Sequence, residues 1–361
     1  MKYLYSLLLT VTLMHTGQIM AAALGDDWKL RSPTGTSENL TAIAVDGTNR
    51  MVAVGAHGAI VTSTTPGTWT RSAENLVTTN LTDVIWSAGQ SQFVAVGDRS
   101  TFLTSGDGIA WVSQAAPSPS TDLVNAVVAS NSDDLVAVGG TATGAGLVFH
   151  STNKGVNWDR IPVAGATTFK DVTHTGSKFI AVCTGKVFTS TDGSNWNATP
   201  AVLAGTTPTS VAFVPNAEPT LSTAVIIGTK SWASVNNGPW TAISPPSSDL
   251  TLNVVAKAVD GKLRSELIGT NSYGEVWSST DMGKSWQIRL TAQYIQLNAA
   301  SKFGDDYVVV GNSGTIETSS GVVADALYRQ IVPPIDGQTV PPLLGNFTSV
   351  ATNSASGAVA V

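Results

Sequence analysis

Residues 190–196 read Ser190-Thr191-Asp192-Gly193-Ser194-Asn195-Trp196. A hydroxyl, an acid and an aromatic ring in one short stretch fit either a catalytic site or a structural turn, and repetition decides between them. Ser279-Thr280-Asp281-Met282-Gly283-Lys284-Ser285-Trp286 gives the longer form, and Ser151–Trp158 repeats it with Asn153 for the acid. Ser105–Trp111 and Ser234–Trp240 have the shorter spacing of 190–196, Ser63–Trp69 lacks the acid, and Ser319-Ser320-Gly321 is degenerate. One catalytic centre does not need its acid in five places, whereas a repeat fold does. The expected roles are structural. Asp107, Asn153, Asp192, Asn236 and Asp281 accept backbone N–H groups across a turn, and glycine supplies φ > 0. Trp111, Trp158, Trp196, Trp240 and Trp286 bury large rings between neighbouring sheets.

Upstream of each copy lies an apolar run that ends in glycine, as in Phe93-Val94-Ala95-Val96-Gly97. That glycine falls at 55, 97, 139, 228, 269 and 311, with Cys183 in its place once, so the steps are 41–45 residues. Each unit divides into four short strands: A like 41–47, B like 93–97, C like 186–190, and D beginning at the tryptophan. Ala53, Ala95, Ala137 and Ala181 place a small side chain in strand B between bulkier neighbours. An all-β chain of four-stranded units of this length predicts a single β-propeller, whose blades taper toward a crowded axis.

A, B and D strands each count to eight, with the last A near 348 and D strands running from Trp28 to Tyr328, while C strands count to seven. Eight blades are therefore preferred and seven are the alternative, with the ring closed by both termini in one blade. Residues 17–28 align without gaps on 185–196 and are a candidate for the eighth C strand; a chain cut short at its C-terminal end is a further reading.

The start of the chain has one lysine, an apolar run from Tyr3 to Met14, and Ala21-Ala22-Ala23 as a cleavage signal. This pattern predicts a signal peptide over 1–23 and a propeller domain over 24–361, exported to a bacterial periplasm or the exterior; cleavage before Ala23 is the alternative. No later run is long enough for a membrane span. The single cysteine excludes an intramolecular disulfide. The net charge of −6 offers no basic surface to nucleic acid.

The Ser-x-Asp-x-Gly-x-x-Trp pattern resembles the Asp-box, or BNR, repeat of sialidase-like propellers. That resemblance implies the propeller fold and, for an active member, an arginine cluster, an early Arg-Ile-Pro and a tyrosine activated by glutamate. Arg160-Ile161-Pro162 lies in mid-chain, Arg99 is the one arginine in a B–C loop, and Tyr273-Gly274-Glu275 reads as a polar turn. One guanidinium is too few to clamp a carboxylate. His57, His150 and His174 fall in different blades, so no metal cluster is expected, and no nucleotide fingerprint calls for a cofactor. The repeat style is also similar to Ycf48-like photosystem II assembly factors, which implies a non-catalytic, partner-binding propeller; their arginine patch is lacking here. The expectation is a monomeric binding or assembly scaffold for a protein or glycan partner, with a sialidase-like glycoside hydrolase as the alternative. The B–C loops carry the candidate face: His57, Asp98, Arg99, Lys186, Lys230, Tyr273 and Asn312.

Overall fold

The computed structural model describes residues 27–320, apart from 32–34, 73–75, 133, 200–202, 216–221, 260–261, 291–293 and 304–305, together with 350–353 and 357–360. The leader read at 1–23, the strand read at Tyr328 and the turn read at Gly321 lie outside these residues. Seven four-stranded antiparallel sheets make up the ring, and the described residues contain no α-helix. Strand A opens the blades at Leu40–Val45, Leu81–Ser87, Leu123–Ala129, Asp171–His174, Pro208–Pro215, Thr251–Val259 and Leu297–Phe303. Strand B follows at Met51–Gly55, Gln92–Gly97, Leu135–Gly140, Phe179–Cys183, Ser222–Gly228, Lys262–Thr270 and Asp306–Gly311. Strands C and D complete each blade outward.

The blade number is seven, the alternative reading, and not the preferred eight. Asp27–Leu30 pairs with Ile316–Ser320, Trp28 opposite Ser319, and so supplies the D strand of the seventh blade. The N-terminal strand thus closes a blade whose other three strands end at Ser320. The eighth A–B pair, Val350–Asn353 with Gly357–Ala360, forms a two-stranded sheet of its own.

Burial explains the ring. Seven apolar clusters occur, one at each junction between neighbouring blades, the last joining blade 7 to blade 1 through Val308, Val310, Ile316, Ile43 and Ala53. Strand B of most blades is buried on both faces, which is why it reads as an unbroken apolar run rather than an alternation. Each C–D tryptophan joins the cluster shared with the preceding blade: Trp111 with Phe93 and Val52, Trp158 stacked 4.4 Å from Phe102.

Strand A carries a β-bulge in blades 1, 2, 3, 5 and 7. The bulged residue is Thr41, Thr82, Asn125, Thr209 or Asn298, and each side chain donates to a backbone carbonyl in or just before strand A of the next blade. Thr41 reaches Leu81 at 2.7 Å, Thr82 Val124 at 2.6 Å, Asn125 Phe169 at 2.6 Å, Thr209 Leu250 at 3.4 Å and Asn298 Leu40 at 2.6 Å. The next register position answers in the opposite sense. Asp83 accepts Val127 N–H at 2.9 Å, Asp171 accepts Val211 N–H at 2.8 Å, and Asn253 accepts Ala300 N–H at 3.0 Å. A bulge leaves the extra residue out of its own ladder, and here that residue ties blade to blade.

The C–D turns of blades 2, 3, 4 and 6 share one bonding scheme. In blade 4, Ser190 Oγ accepts Gly193 N–H at 2.9 Å, and Asp192 Oδ1 accepts Ser194 and Asn195 N–H at 3.0 and 2.7 Å. The Trp196 indole donates to Gly193 O at 2.9 Å. The Asn195 and Ser194 amides hold the Asp192 carboxyl far below its ordinary range. These amides face solvent, so water replaces part of what a truncation removes. Asp192→Ala is expected to cost about 1 kcal/mol in urea-induced unfolding, a loss that shrinks as pH falls below the ordinary carboxylate range, where the unfolded chain takes up the proton that the folded carboxylate still resists.

Candidate functional site

All B–C and D–A connections emerge at one end of the ring, and all A–B and C–D connections at the other, because strands alternate in direction within each blade. The seven residues of the candidate face therefore share one end, but they divide by what they do there. His57 donates its backbone N–H to Asn80 Oδ1 at 3.2 Å, and its Nδ1 lies 2.8 Å from the Glu38 carboxylate. Asp98 accepts Asn80 Nδ2 at 3.0 Å, and Asn312 Oδ1 accepts Asn298 Nδ2 at 3.0 Å. Lys186 Nζ donates to Gly165 O at 2.7 Å. These four brace the loops among which they stand. Arg99 and Lys230 are exposed and have no hydrogen-bond or ionic partner among the described residues, and Tyr273 is 60% exposed.

Tyr273 has a neighbour that the B–C reading passed over. Tyr294 N–H donates to Tyr273 O at 3.2 Å, which sets the D–A loop before blade 7 against the B–C loop of blade 6. Tyr294 is 91% and Ile295 40% exposed, so three large side chains stand exposed on two adjoining loops at this end. Several D–A loops end in Ser/Thr-x-Asn/Asp-Leu, at 37–40, 78–81, 120–123 and 247–250, and Tyr294 stands in the Ser/Thr place before Leu297, a departure the sequence shows; the topology is what brings it to the same end as Tyr273.

The hydrolase residues do not assemble. Glu275 Oε2 accepts Asn271 Nδ2 at 2.8 Å and the Trp277 indole at 3.0 Å, while Asn271 Oδ1 accepts Tyr273 and Glu275 N–H; the segment is a braced turn. A tyrosine–glutamate pair does exist, Tyr307 Oη to Glu266 Oε2 at 2.6 Å, with Arg289 3.5 Å from the other oxygen. All three are buried between blades 6 and 7, where no substrate reaches. Arg289, on the last strand of blade 6, is thus an interior residue; it also donates to Ser278 Oγ at 2.8 Å. Ser194 Oγ lies 2.9 Å from His150 Nδ1, within reach of a nucleophile–base pair. His150 Nε2, however, is buried without a partner, so no acid orients the ring. Among the described residues no three His, Cys, Asp or Glu side chains converge as a metal site.

Blade 5 departs from the common C–D turn. Ser234 Oγ donates to Gly238 O at 2.7 Å instead of accepting an amide, and Asn236 Oδ1 accepts Ser222 N–H at 2.7 Å. Asn236 therefore does not take the turn-bracing place expected for it. The cause is legible: Gly238 stands one place later than Gly193 does in blade 4, and Pro239 stands where Asn195 donates, so the needed N–H is missing.

Among known proteins, no family model matches the chain and no curated sequence matches it. Solved structures do. A structure of YCF48 bound to a D1 peptide is similar with a TM-score of 0.60 at 16% identity, over 82% of this chain and 97% of that one. YCF48 from Cyanidioschyzon merolae gives 0.58 at 18%, over 81% and 98%. Virginiamycin B lyase from Staphylococcus aureus gives 0.65 at 11%, over 82% and 99%. A binder and an enzyme on the same scaffold, at such identities, establish the β-propeller fold and leave function to the site.

Proposed function

We propose that the chain is an exported, monomeric, non-catalytic propeller of the Asp-box type that holds a protein partner on its B–C and D–A end. The observation that carries this reading is the junction of Tyr273 with Tyr294 and Ile295, an exposed aromatic patch on the end that also presents Arg99 and Lys230 without partners. Tyrosine and arginine are residues that protein interfaces favour, tyrosine because it buries much area at little entropic cost and arginine because its guanidinium pairs and stacks. The peptide bound to YCF48 supports a peptide or protein ligand for this scaffold. The leader pattern at 1–23 supports export.

The test compares wild type with Tyr273→Ala/Tyr294→Ala in affinity capture from the exported fraction of its native cell, with the captured protein then purified and titrated. Both side chains are exposed, so the melting temperature should stay within about 2 °C. Affinity should fall at least tenfold, about 1.4 kcal/mol. Equal binding by the double variant refutes the assigned face. Turnover of a sialoside or aryl glycoside that is abolished by Tyr273→Phe or Glu275→Gln would replace the binding reading with a hydrolase.

A further inference from the structure

The irregular C–D turn of blade 5 opens a cleft of about 350 Å³ against the outer part of blade 4. Its lining includes Lys178, Thr189, Thr199, Asn237, Pro239 and Trp240. In blades 2, 3, 4 and 6 the indole of the turn's tryptophan donates to its glycine carbonyl at 2.9–3.1 Å. The Trp240 indole has no such bond and no other. The Lys178 ammonium, the Asn237 side-chain amide and the Thr189 hydroxyl also lack partners, and the Thr199 hydroxyl is a buried oxygen with none. Unpaired polar groups cost stability when water is kept from them. Of these only the Thr199 oxygen is shut off from water; the other groups, from two different blades, line one concavity.

We propose that this cleft binds a sugar unit of an acidic polysaccharide, of the uronate class. The face of an indole carries negative potential and accepts the C–H edge of a pyranose ring. A free indole N–H, a carboxamide and the Thr189 hydroxyl match ring hydroxyls that both donate and accept. The volume falls within the range of small-ligand sites. Lys178 fixes the charge: among the described residues no carboxylate lines the cleft, so the ammonium there favours an anion. Among the described residues the lining offers no carboxylate or imidazole to a glycosidic bond, which supports a site that binds and does not cleave. It lies at the A–B and C–D end of the ring, opposite the tyrosine patch, so a glycan and a protein partner bind independently.

The test is calorimetric titration of the whole mature protein with a short oligogalacturonate and with a neutral cello-oligosaccharide of equal length. The acidic oligomer is expected to bind, more weakly as salt rises. Lys178→Ala should weaken it at least tenfold, and Asn237→Ala several-fold. Neither side chain holds the fold together, so both variants should melt as wild type does. Trp240→Ala should abolish binding but also loosens packing, so the lysine and asparagine variants decide. Absence of binding, equal binding of the neutral oligomer, or unchanged affinity in both variants overturns the proposal. The Tyr273→Ala/Tyr294→Ala variant should bind the oligomer normally, which separates this site from the protein-binding face.

Discussion

Gly97→Ala should destabilise the ring by more than about 3 kcal/mol, while Gly269→Ala, at the same place in another blade, should cost about 1 kcal/mol or less. A Cβ on Gly97 would stand 2.1 Å from Asn80 O, a backbone atom that no rotamer change can move. The same holds at Gly55, Gly139, Gly228 and Gly311, where the obstructing backbone oxygen is 1.9–2.4 Å away. Those are the five blades whose strand A is bulged, because the bulge pushes the chain before strand A onto the glycine. Blades 4 and 6 show no shift between strands A and B. A Cβ on Gly269 would meet only the Leu250 side chain, at 3.1 Å, and blade 4 carries Cys183 at this place, fully buried. Chemical denaturation of the two alanine variants separates this steric account from a general need for glycine in strand B. Equal losses would show that the bulge is not the reason. If Gly97→Ala also breaks the bond from Thr82 to Val124, cooperativity should fall along with the midpoint.

The sequence carried this logic further than the blade count. The glycine spacing, the one cysteine exception and the serine–glycine–tryptophan turns are local, and each is imposed by one blade's own backbone. What closes a ring is a pairing between Trp28 and Ser319, almost the whole chain apart, and no local pattern says which D strand completes which C strand. The A–B pair near 350–360 reads like the others, so counting strands adds a blade that pairing does not. The candidate face was legible as a set of loops, but not in its division of labour. His57, Asp98, Lys186 and Asn312 look as free on paper as Arg99, Lys230 and Tyr273, and contacts 18 or more residues distant for His57, Asp98 and Lys186 settle the difference. The blade 5 turn shows the reverse case: Gly238-Pro239 was visible, and only the bonds made in its sister turns reveal what proline removes there.

Replacing Asp83 and Asp171 by asparagine should stabilise the protein above pH 7 and change little at pH 4. Both carboxyls sit among the innermost strands, where burial raises Asp83 to about 7, aided by the charge of Asp171, and Asp171 to about 6. Burial raises Glu317 to about 7 as well. The direction of the effect follows from proton counting. An unfolded aspartate loses its proton near 3.8, but the folded one keeps it to 6 or 7. Between those values the folded state holds more protons, so stability falls as pH rises, and above pH 7 the whole penalty is present. A shift of one unit is worth about 1.4 kcal/mol, so the shift at Asp83 costs on the order of 4 kcal/mol at pH 8, less whatever solvent near the axis returns. The two acids repel each other, so their separate gains will not add. Asn253 is the natural control, since at the same register position it accepts Ala300 N–H without a charge. The turn acids Asp107 and Asp192 work the other way. Backbone amides lower both, led by Ala110 and Asn195, and their contribution is lost as pH falls below the ordinary carboxylate range. Wild type should therefore be most stable near pH 4–5, and Asp83→Asn/Asp171→Asn should flatten the alkaline side of the curve while leaving the acid side in place. A double variant whose midpoint falls at pH 8 would mean that the axial carboxylates are ionised and hold the blades together, rather than being tolerated there.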